Sequence, residues 1–276
     1  MAPVSNAQKS AAAQQFMQLT GAPERVAQRF LKTSSYKLNE AIDAYFSNGN
    51  APPPGQSAAD TQLDKAFDDL RSDEDPKDSI GVESSMAYLG KELKVNLEDA
   101  SLFVALEMFQ APSIGEITRA GFVEGWKKAS TSGTPRASHL KSLVSSLSQD
   151  PAYFKRVYRY AFVVGKEPDQ RALGLENAVI FWTMLFSRPG LEWKTASHDW
   201  LDLWKTFLDE KWTRSVNRDM WNMTLEFALR SMEDETLGFW SEDGAWPSVI
   251  DEFVAWCRET KGIARVEERG DGMDVE

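Results

Sequence analysis

The stretch WLDLWKTFLDEKWTRSVNRDMWNMTLEF, residues 200–227, decides the fold class, because its apolar residues recur with the period of an α-helix. A helix buries residues spaced three and four apart, so each such run predicts one buried face. The stretch contains one stripe of this kind, formed by Trp200, Leu203, Trp204, Phe207 and Leu208. A second stripe begins within it and continues past its end, at Trp221, Leu225, Ala228 and Met232.

The same spacing continues on both sides of this stretch. It recurs in GLENAVIFWTMLF (174–186) and GAWPSVIDEFVAWC (244–257), and more briefly around Leu102, Leu106 and Phe109. No convincing run alternates apolar and polar residues between turn signals, as a half-buried strand does. The sequence therefore predicts an all-α protein.

Changes in composition predict the domain organisation. A Pro-, Gly-, Ser- and Ala-rich segment at residues 49–62, with three consecutive Pro, is typical of an extended linker. It separates a small helical unit (7–48) from a large helical domain (63–265), while residues 1–6 and the acidic residues 266–276 are expected to be disordered tails.

Charge and composition exclude several classes of protein. The net charge of −11 argues against general nucleic-acid binding, which requires a basic surface, and suits a basic partner or simple solubility. No run of about 18 apolar residues predicts a membrane span, and the N-terminus lacks the pattern of a signal peptide. We therefore expect a cytoplasmic or nuclear protein.

Catalytic and metal-binding patterns are not evident. One Cys and two His do not supply a typical zinc ligand set, and we expect no cofactor. Cys257 falls on an apolar helix face, so we expect a buried, inert thiol rather than a nucleophile. His139 and His198 stand in polar stretches, with no nucleophile arranged around them.

The segment RSDEDPKDSIGVES resembles an eroded EF-hand loop. Counting from Asp73, Asp75 stands at the third position, but Lys77 occupies the fifth and Asp78 replaces the required Gly. Ser84 replaces the bidentate Glu at the twelfth. We expect helix–loop–helix geometry there without calcium.

The N-terminal unit resembles the ubiquitin-associated (UBA) domain. TGAPERVAQRFL followed by LNEAIDAYF fits its three short helices, although Leu19-Thr20-Gly21 departs from the commoner Met-Gly-Phe or Met-Gly-Tyr loop. The resemblance implies a surface that binds ubiquitin, or else the ubiquitin-like modifier, at Met17, Leu19, Gly21 and Tyr45. The alternative, that these apolar residues only close the small core, stays open.

The large domain resembles the potentiating-neddylation domain of the defective-in-cullin-neddylation family, of the fungal type. DMWN and GAWPSVIDEF carry the resemblance in the right order, and the UBA-like unit in front strengthens it. It implies a non-catalytic scaffold that binds the C-terminal winged-helix region of a cullin and the acetylated N-terminal Met of a modifier-charged conjugating enzyme.

Two sets of residues match the family's binding sites. The acidic cullin-binding patch corresponds to Asp219, Ala245 and Asp251. From the residues alone, Asp251 lies off an apolar stripe and should be exposed, whereas Asp219 would be a helix cap. The apolar acetyl-Met pocket, whose residues could equally be plain core, corresponds to Leu102, Leu106, Phe109, Val164, Phe181 and Met184.

Two other functions compete with the scaffold. One is a ubiquitin-binding adaptor whose helical domain serves another complex. The other is an enzyme with an unrecognised carboxylate site, but no arrangement of residues in the sequence supports it.

Overall fold

The computed structural model describes residues 6–46, 58–129, 135–167 and 169–263. The predicted tail 266–276, nearly all of the predicted tail 1–6 and the linker residues 49–57 lie outside these ranges. Residues 58–62, expected in the linker, instead form the start of a helix. No helix among the described residues is long and apolar enough to cross a membrane.

The fold is all-α, as predicted. The N-terminal part contains α1 (Asn6–Thr20), α2 (Glu24–Thr33), α3 (Leu38–Tyr45), α4 (Ala58–Leu70), α5 (Val82–Ala87), α6 (Ser101–Met108) and α7 (Arg119–Ala129). A π-helical turn, Tyr88–Glu92, continues α5. The rest contains α8 (Arg136–Ser146), α9 (Pro151–Gly165), α10 (Leu175–Leu185), α11 (Trp200–Lys211), α12 (Arg218–Glu233) and α13 (Ser248–Lys261).

Four two-residue strands form two small sheets, which the sequence did not predict. They are β1 (Ser79–Ile80) with β2 (Ile117–Thr118), and β3 (Ala172–Leu173) with β4 (Val216–Asn217). Strands β3 and β4 pair antiparallel, with Ala172 opposite Asn217 and Leu173 opposite Val216. Two residues are too few to show an alternating pattern in the sequence.

The chain divides into two compact units, one of residues 1–80 with 118–132 and the other of residues 81–117 with 133–276. In the first, α1, α2 and α3 form the expected three-helix bundle around Phe16, Leu31 and other buried residues. Phe16 and Phe30 stack with centroids 6.3 Å apart, and Tyr45 meets both rings edge-on. These contacts give a bundle of about 40 residues its own core.

Also in the first unit, α4 packs against α7, and a cation of the chain itself joins the two helices. Phe67 of α4 meets Phe122 of α7 edge-on, with ring centroids 5.4 Å apart. The Arg119 guanidinium forms ion pairs with Asp64, Asp68 and Asp78. It also donates to the backbone carbonyls of Asp64 and Lys77, and its hydrogen bond lowers the pKa of the Asp68 carboxyl.

The second unit is built on a buried aromatic cluster that ties α9, α10 and α12 together. The Trp182 indole donates to the Tyr158 hydroxyl at 2.8 Å, and that hydroxyl donates to the Trp221 carbonyl at 2.8 Å. The Trp221 ring stacks on both Tyr158 and Trp182. Because every polar atom named here has a partner, the cluster adds specificity to an apolar core at little desolvation cost.

The hydrogen bonds of this cluster predict different stabilities for two Tyr→Phe variants, one of which serves as the control. Tyr158→Phe leaves the buried Trp182 N–H without its acceptor, and we expect a loss of about 1–3 kcal/mol in unfolding free energy. Tyr153→Phe should lose nothing, because the buried Tyr153 hydroxyl has no hydrogen-bond partner among the described residues. Urea titrations compare the unfolding free energies of the two variants with that of the wild type, and equal m-values show that the comparison is valid. Equal destabilisation by both would contradict the assigned network.

Candidate functional site

The first residue of the predicted acidic patch, Asp219, is exposed in the first turn of α12. It is not the helix cap that its sequence position suggested. Asn217 caps α12 instead, its side-chain oxygen accepting a hydrogen bond from the Met220 N–H at 2.8 Å. Asp219 still benefits from the positive end of the helix dipole, while its carboxylate stays free of the capping role.

Asp251 lies in the first turn of α13 and is only half-exposed, which corrects the expected full exposure. Its carboxylate oxygen Oδ1 accepts a hydrogen bond from the Trp240 indole N–H at 2.9 Å. The predicted apolar stripe beside it is buried at Val249, Ile250, Phe253, Val254 and Cys257, whereas Trp246 at its start is only half-buried. The carboxylate therefore lies at the edge of the core rather than in open water.

Ala245 is exposed, in the loop that leads into α13. Before it, Gly244 closes a tight turn with its N–H donating to the Ser241 carbonyl at 2.9 Å. After it, the Trp246 ring packs edge-on against Phe227 and Phe239. A small, exposed residue is thus fixed between a turn and a packed ring, which leaves room for close approach by a partner.

The two helices that carry the acidic residues pack against each other. Phe227 of α12 and Phe253 of α13 meet with ring centroids 5.6 Å apart, so the two helices that carry Asp219 and Asp251 share one core. Glu242, Asp243 and Glu252 are further exposed carboxylates close in sequence. We call Asp219, Ala245 and Asp251 the acidic patch; it can attract Lys or Arg side chains of a partner.

Sequence reasoning missed the residues that order the loop between α12 and α13. The Asp234 side chain accepts hydrogen bonds from the backbone N–H groups of Thr236 and Gly238 and from the Thr236 hydroxyl. These bonds lower the pKa of Asp234, the Thr236 hydroxyl contributing most. The D-x-T-x-G spacing is typical of an Asx turn, so this ordered loop could have been predicted from the sequence. Nothing in the local sequence indicates the contact of Trp240 with Asp251.

The residues predicted to line an acetyl-Met pocket lie mostly in the core. Leu102, Leu106, Phe109, Val164 and Phe181 are buried, and Met184 is half-buried. Phe181 packs edge-on against Phe103 at 4.8 Å. In this arrangement the side chains serve the core, so the structure does not present them together as an open pocket.

Exposed apolar residues border this group. Ile114 is 36% exposed, and its N–H donates to the Val164 carbonyl. Val163, the neighbour of Val164, is 41% exposed, and Val82, whose side chain lies against Gly115, is 67% exposed. We call Val82, Ile114 and Val163 the apolar rim. The apolar rim was not predicted from the sequence, because helical periodicity indicates buried faces and not single exposed apolar residues.

In the UBA-like bundle the predicted ubiquitin-binding residues divide into two kinds. Met17 and Tyr45 are half-buried and pack on the bundle core. Leu19 is 56% exposed, and Gly21 follows it with φ of 68°, a left-handed conformation that glycine adopts without strain. Leu19 is therefore the predicted residue that the bundle itself does not use.

Cys257 is buried on α13. Burial raises the pKa of its thiol to about 12, opposed by the nearby Lys261 ammonium. At neutral pH the thiol stays protonated, and a thiol is a poor nucleophile compared with its thiolate.

Two family models match separate segments of the chain. Residues 136–256 match the family described as "Cullin binding", and residues 10–52 match the "UBA-like domain". The first match contains the whole acidic patch, and the second covers the three-helix bundle except for the first four residues of α1.

Similar proteins span nearly the whole chain. A protein of Pyricularia oryzae named "Defective in cullin neddylation protein 1" is 43% identical over 99% of both chains. A protein of the same name from Yarrowia lipolytica is 32% identical over 88% of this chain and 94% of its own. The Bos taurus "DCN1-like protein 3" is 29% identical over 80% of this chain and 72% of its own.

Proposed function

Because the chain belongs to the defective-in-cullin-neddylation family, we propose that it promotes cullin neddylation as a non-catalytic scaffold. In this proposal residues 63–265, extended at their start to include all of α4, form the domain that binds a cullin C-terminal region. The same domain binds the modifier-charged conjugating enzyme, and residues 7–48 form a separate ubiquitin-binding module.

The acidic patch is the observation that carries the proposal. It lies inside the segment that matches "Cullin binding", Asp219 and Ala245 are exposed, and Asp251 is half-exposed. No Lys or Arg among the described residues forms an ion pair with Asp219 or Asp251, so neither charge is neutralised internally. Two unneutralised carboxylates and a small exposed residue suit a partner that presents basic side chains on a close-fitting surface.

A scaffold with two binding surfaces accelerates transfer without chemistry of its own. Holding the charged enzyme and the acceptor lysine together replaces a bimolecular encounter by an effectively intramolecular one. It also restricts their relative orientation, which lowers the entropy that the transition state must lose. No residue of the scaffold needs to touch the thioester.

The apolar rim is our candidate for the second surface. An acetylated N-terminal Met is neutral and apolar, and it can bury its side chain and acetyl group against Ile114 and Val163. Of the residues that match the acetyl-Met pocket, the half-buried Met184 has an adaptable side chain that could take part in binding.

The alternative function is a ubiquitin-binding adaptor whose helical domain serves another complex. It is favoured by one observation, the exposure of Leu19 in the loop after the first helix of the UBA-like bundle. The two functions differ in whether the chain accelerates cullin modification.

The deciding experiment is modifier transfer to a cullin in a purified system, with and without the full chain. The conjugating enzyme is charged beforehand, and transfer is followed under single-turnover conditions. Faster transfer supports the scaffold, and an unchanged rate at saturating protein would reject it in favour of the adaptor. Asp202→Ala is a control for surface charge, since Asp202 is an exposed first-turn carboxylate outside the acidic patch.

The scaffold proposal makes a prediction for the single cysteine. Cys257→Ser should leave the stimulated rate within about twofold of wild type, because a thiol held protonated by burial forms no thioester at neutral pH. Circular dichroism of the Cys257→Ser protein checks that it is folded. Native Cys257 should also resist alkylation at pH 8, where a thiol with an ordinary pKa reacts. A folded variant without stimulation would refute the non-catalytic role.

A further inference from the structure

Trp240 stands out because its indole joins two charged side chains of α13. The ring is half-buried, its N–H donates to Asp251 Oδ1 at 2.9 Å, and the Arg258 guanidinium lies over its face, 4.8 Å from the ring centroid. Asp251 and Arg258 are seven residues apart and therefore share one side of the helix. Trp240 comes from the loop before α13, so it joins the loop to the helix.

The position of this indole is fixed by the loop beneath it. The Trp240 N–H on the backbone donates to the Leu237 carbonyl at 3.1 Å. Leu237 is fully buried and has φ of 56°, within the turn that the Asp234 side chain organises. The ring is thus held by its backbone, by Arg258 on its face and by Asp251 at its edge.

The chemistry of the donor matters for the carboxylate. An indole N–H is neutral, so it can orient a carboxylate without neutralising its charge. A Lys or Arg in the same place would also orient Asp251, but it would compete with a basic partner for it. The hydrogen bond uses Oδ1 and leaves the charge of Asp251 available.

We infer that Trp240 is a positioning residue of the acidic patch: its indole N–H fixes the Asp251 carboxylate in the orientation that a basic side chain of the cullin meets. The inference rests on the proposed function, because it assumes that Asp251 contacts the cullin. Pre-organisation of this kind raises affinity by removing the cost of ordering a side chain on binding.

The test is a double-mutant cycle measured by calorimetric titration of a cullin C-terminal fragment. Trp240→Phe keeps an aromatic ring for Arg258 while removing the N–H donor together with the five-membered ring, and we expect affinity to fall about three- to tenfold. In the Asp251→Ala background the same change should have no effect, since the group that it positions is gone. Trp240→Tyr supplies a second aromatic ring without the indole N–H, and circular dichroism checks that each variant is folded.

The chain offers a matched control. The Trp256 indole donates to Glu210 Oε2 at 2.9 Å, which is the same kind of bond to a carboxylate outside the acidic patch. Trp256→Phe should leave cullin affinity unchanged.

The outcomes separate the two proposals. If Asp251→Ala weakens binding and neither Trp240 variant does, the positioning role is wrong and the cullin surface stands. A Trp240→Phe effect of equal size in both backgrounds would also overturn the positioning role, since Trp240 would then act independently of Asp251. If Asp251→Ala itself leaves affinity unchanged, the proposed surface fails, and the inference fails with it.

Discussion

Asp251→Ala is expected to weaken binding of a cullin C-terminal fragment by about 2–5 kcal/mol if its charge pair is desolvated in the complex, and by much less if the pair lies at the rim. The half-buried position of Asp251 beside Trp240 favours the larger value. Asp219 is more exposed than Asp251, so Asp219→Ala should have the smaller effect. Isothermal titration of the fragment into each variant gives both values.

Ala245→Arg tests the same surface by adding bulk and positive charge. Against a basic partner the new guanidinium is repelled, and the close approach allowed by alanine is lost. Ala196→Arg is the matched control, because Ala196 is also an exposed loop alanine. Affinity should also fall with added salt, as it does for exposed charge pairs.

Folding controls are needed for each of these variants. Asp219→Ala should leave stability nearly unchanged, since Asn217 caps the helix. Asp251→Asn keeps an acceptor for Trp240 while removing the charge, so it separates the loss of charge from the loss of the hydrogen bond. Unchanged affinity for all of the patch variants would remove the acidic patch from the mechanism, whereas lost affinity with an intact thermal melt supports it.

The second large effect concerns the N-terminus of the conjugating enzyme. A peptide that begins with acetyl-Met should bind at least about tenfold more tightly than the same peptide with a free amino group, because burying an unpaired ammonium against apolar side chains is costly. Fluorescence anisotropy with the two peptides measures the ratio. Equal affinities would contradict the assignment of an apolar site.

Variants of the apolar rim locate that site without disturbing the core. Ile114→Ser and Val163→Ser remove exposed apolar surface, so both proteins should fold and bind the acetylated peptide more weakly. Leu19→Ser removes exposed apolar surface of similar size from the UBA-like bundle and should leave peptide binding unchanged. If the rim variants bind like wild type, the apolar site must lie elsewhere.

Periodicity predicted the helices because burial follows it closely. Trp182, Trp204 and Trp221 stand at the centre of predicted stripes, and all three are fully buried. The start of α4 was missed since Ala58 and its neighbours follow a Pro-rich segment whose composition dominates that part of the chain. Asn217 and Asp219 are both good capping residues two positions apart, and composition alone does not say which one begins the helix.

The candidate site could be predicted only in part, for a similar physical reason. Asp251 was placed off the apolar stripe correctly, but its exposure depends on Trp240, which comes from a loop with no periodic pattern. The apolar rim at Ile114 and Val163 depends on how a loop crosses the end of α9. Such long-range contacts are set by tertiary packing and leave little trace in local sequence.

The guanidinium of Arg119, set among Asp64, Asp68 and Asp78, has a consequence for regulation. In a calcium-binding helix pair the cation is a solute, and its departure lets the helices change their angle. Here the cation is bonded covalently to the chain, so it cannot diffuse away and its local concentration is fixed by the fold. The contact between α4 and α7 is therefore held by a cation that the chain itself supplies, and a change in metal-ion concentration cannot remove that cation.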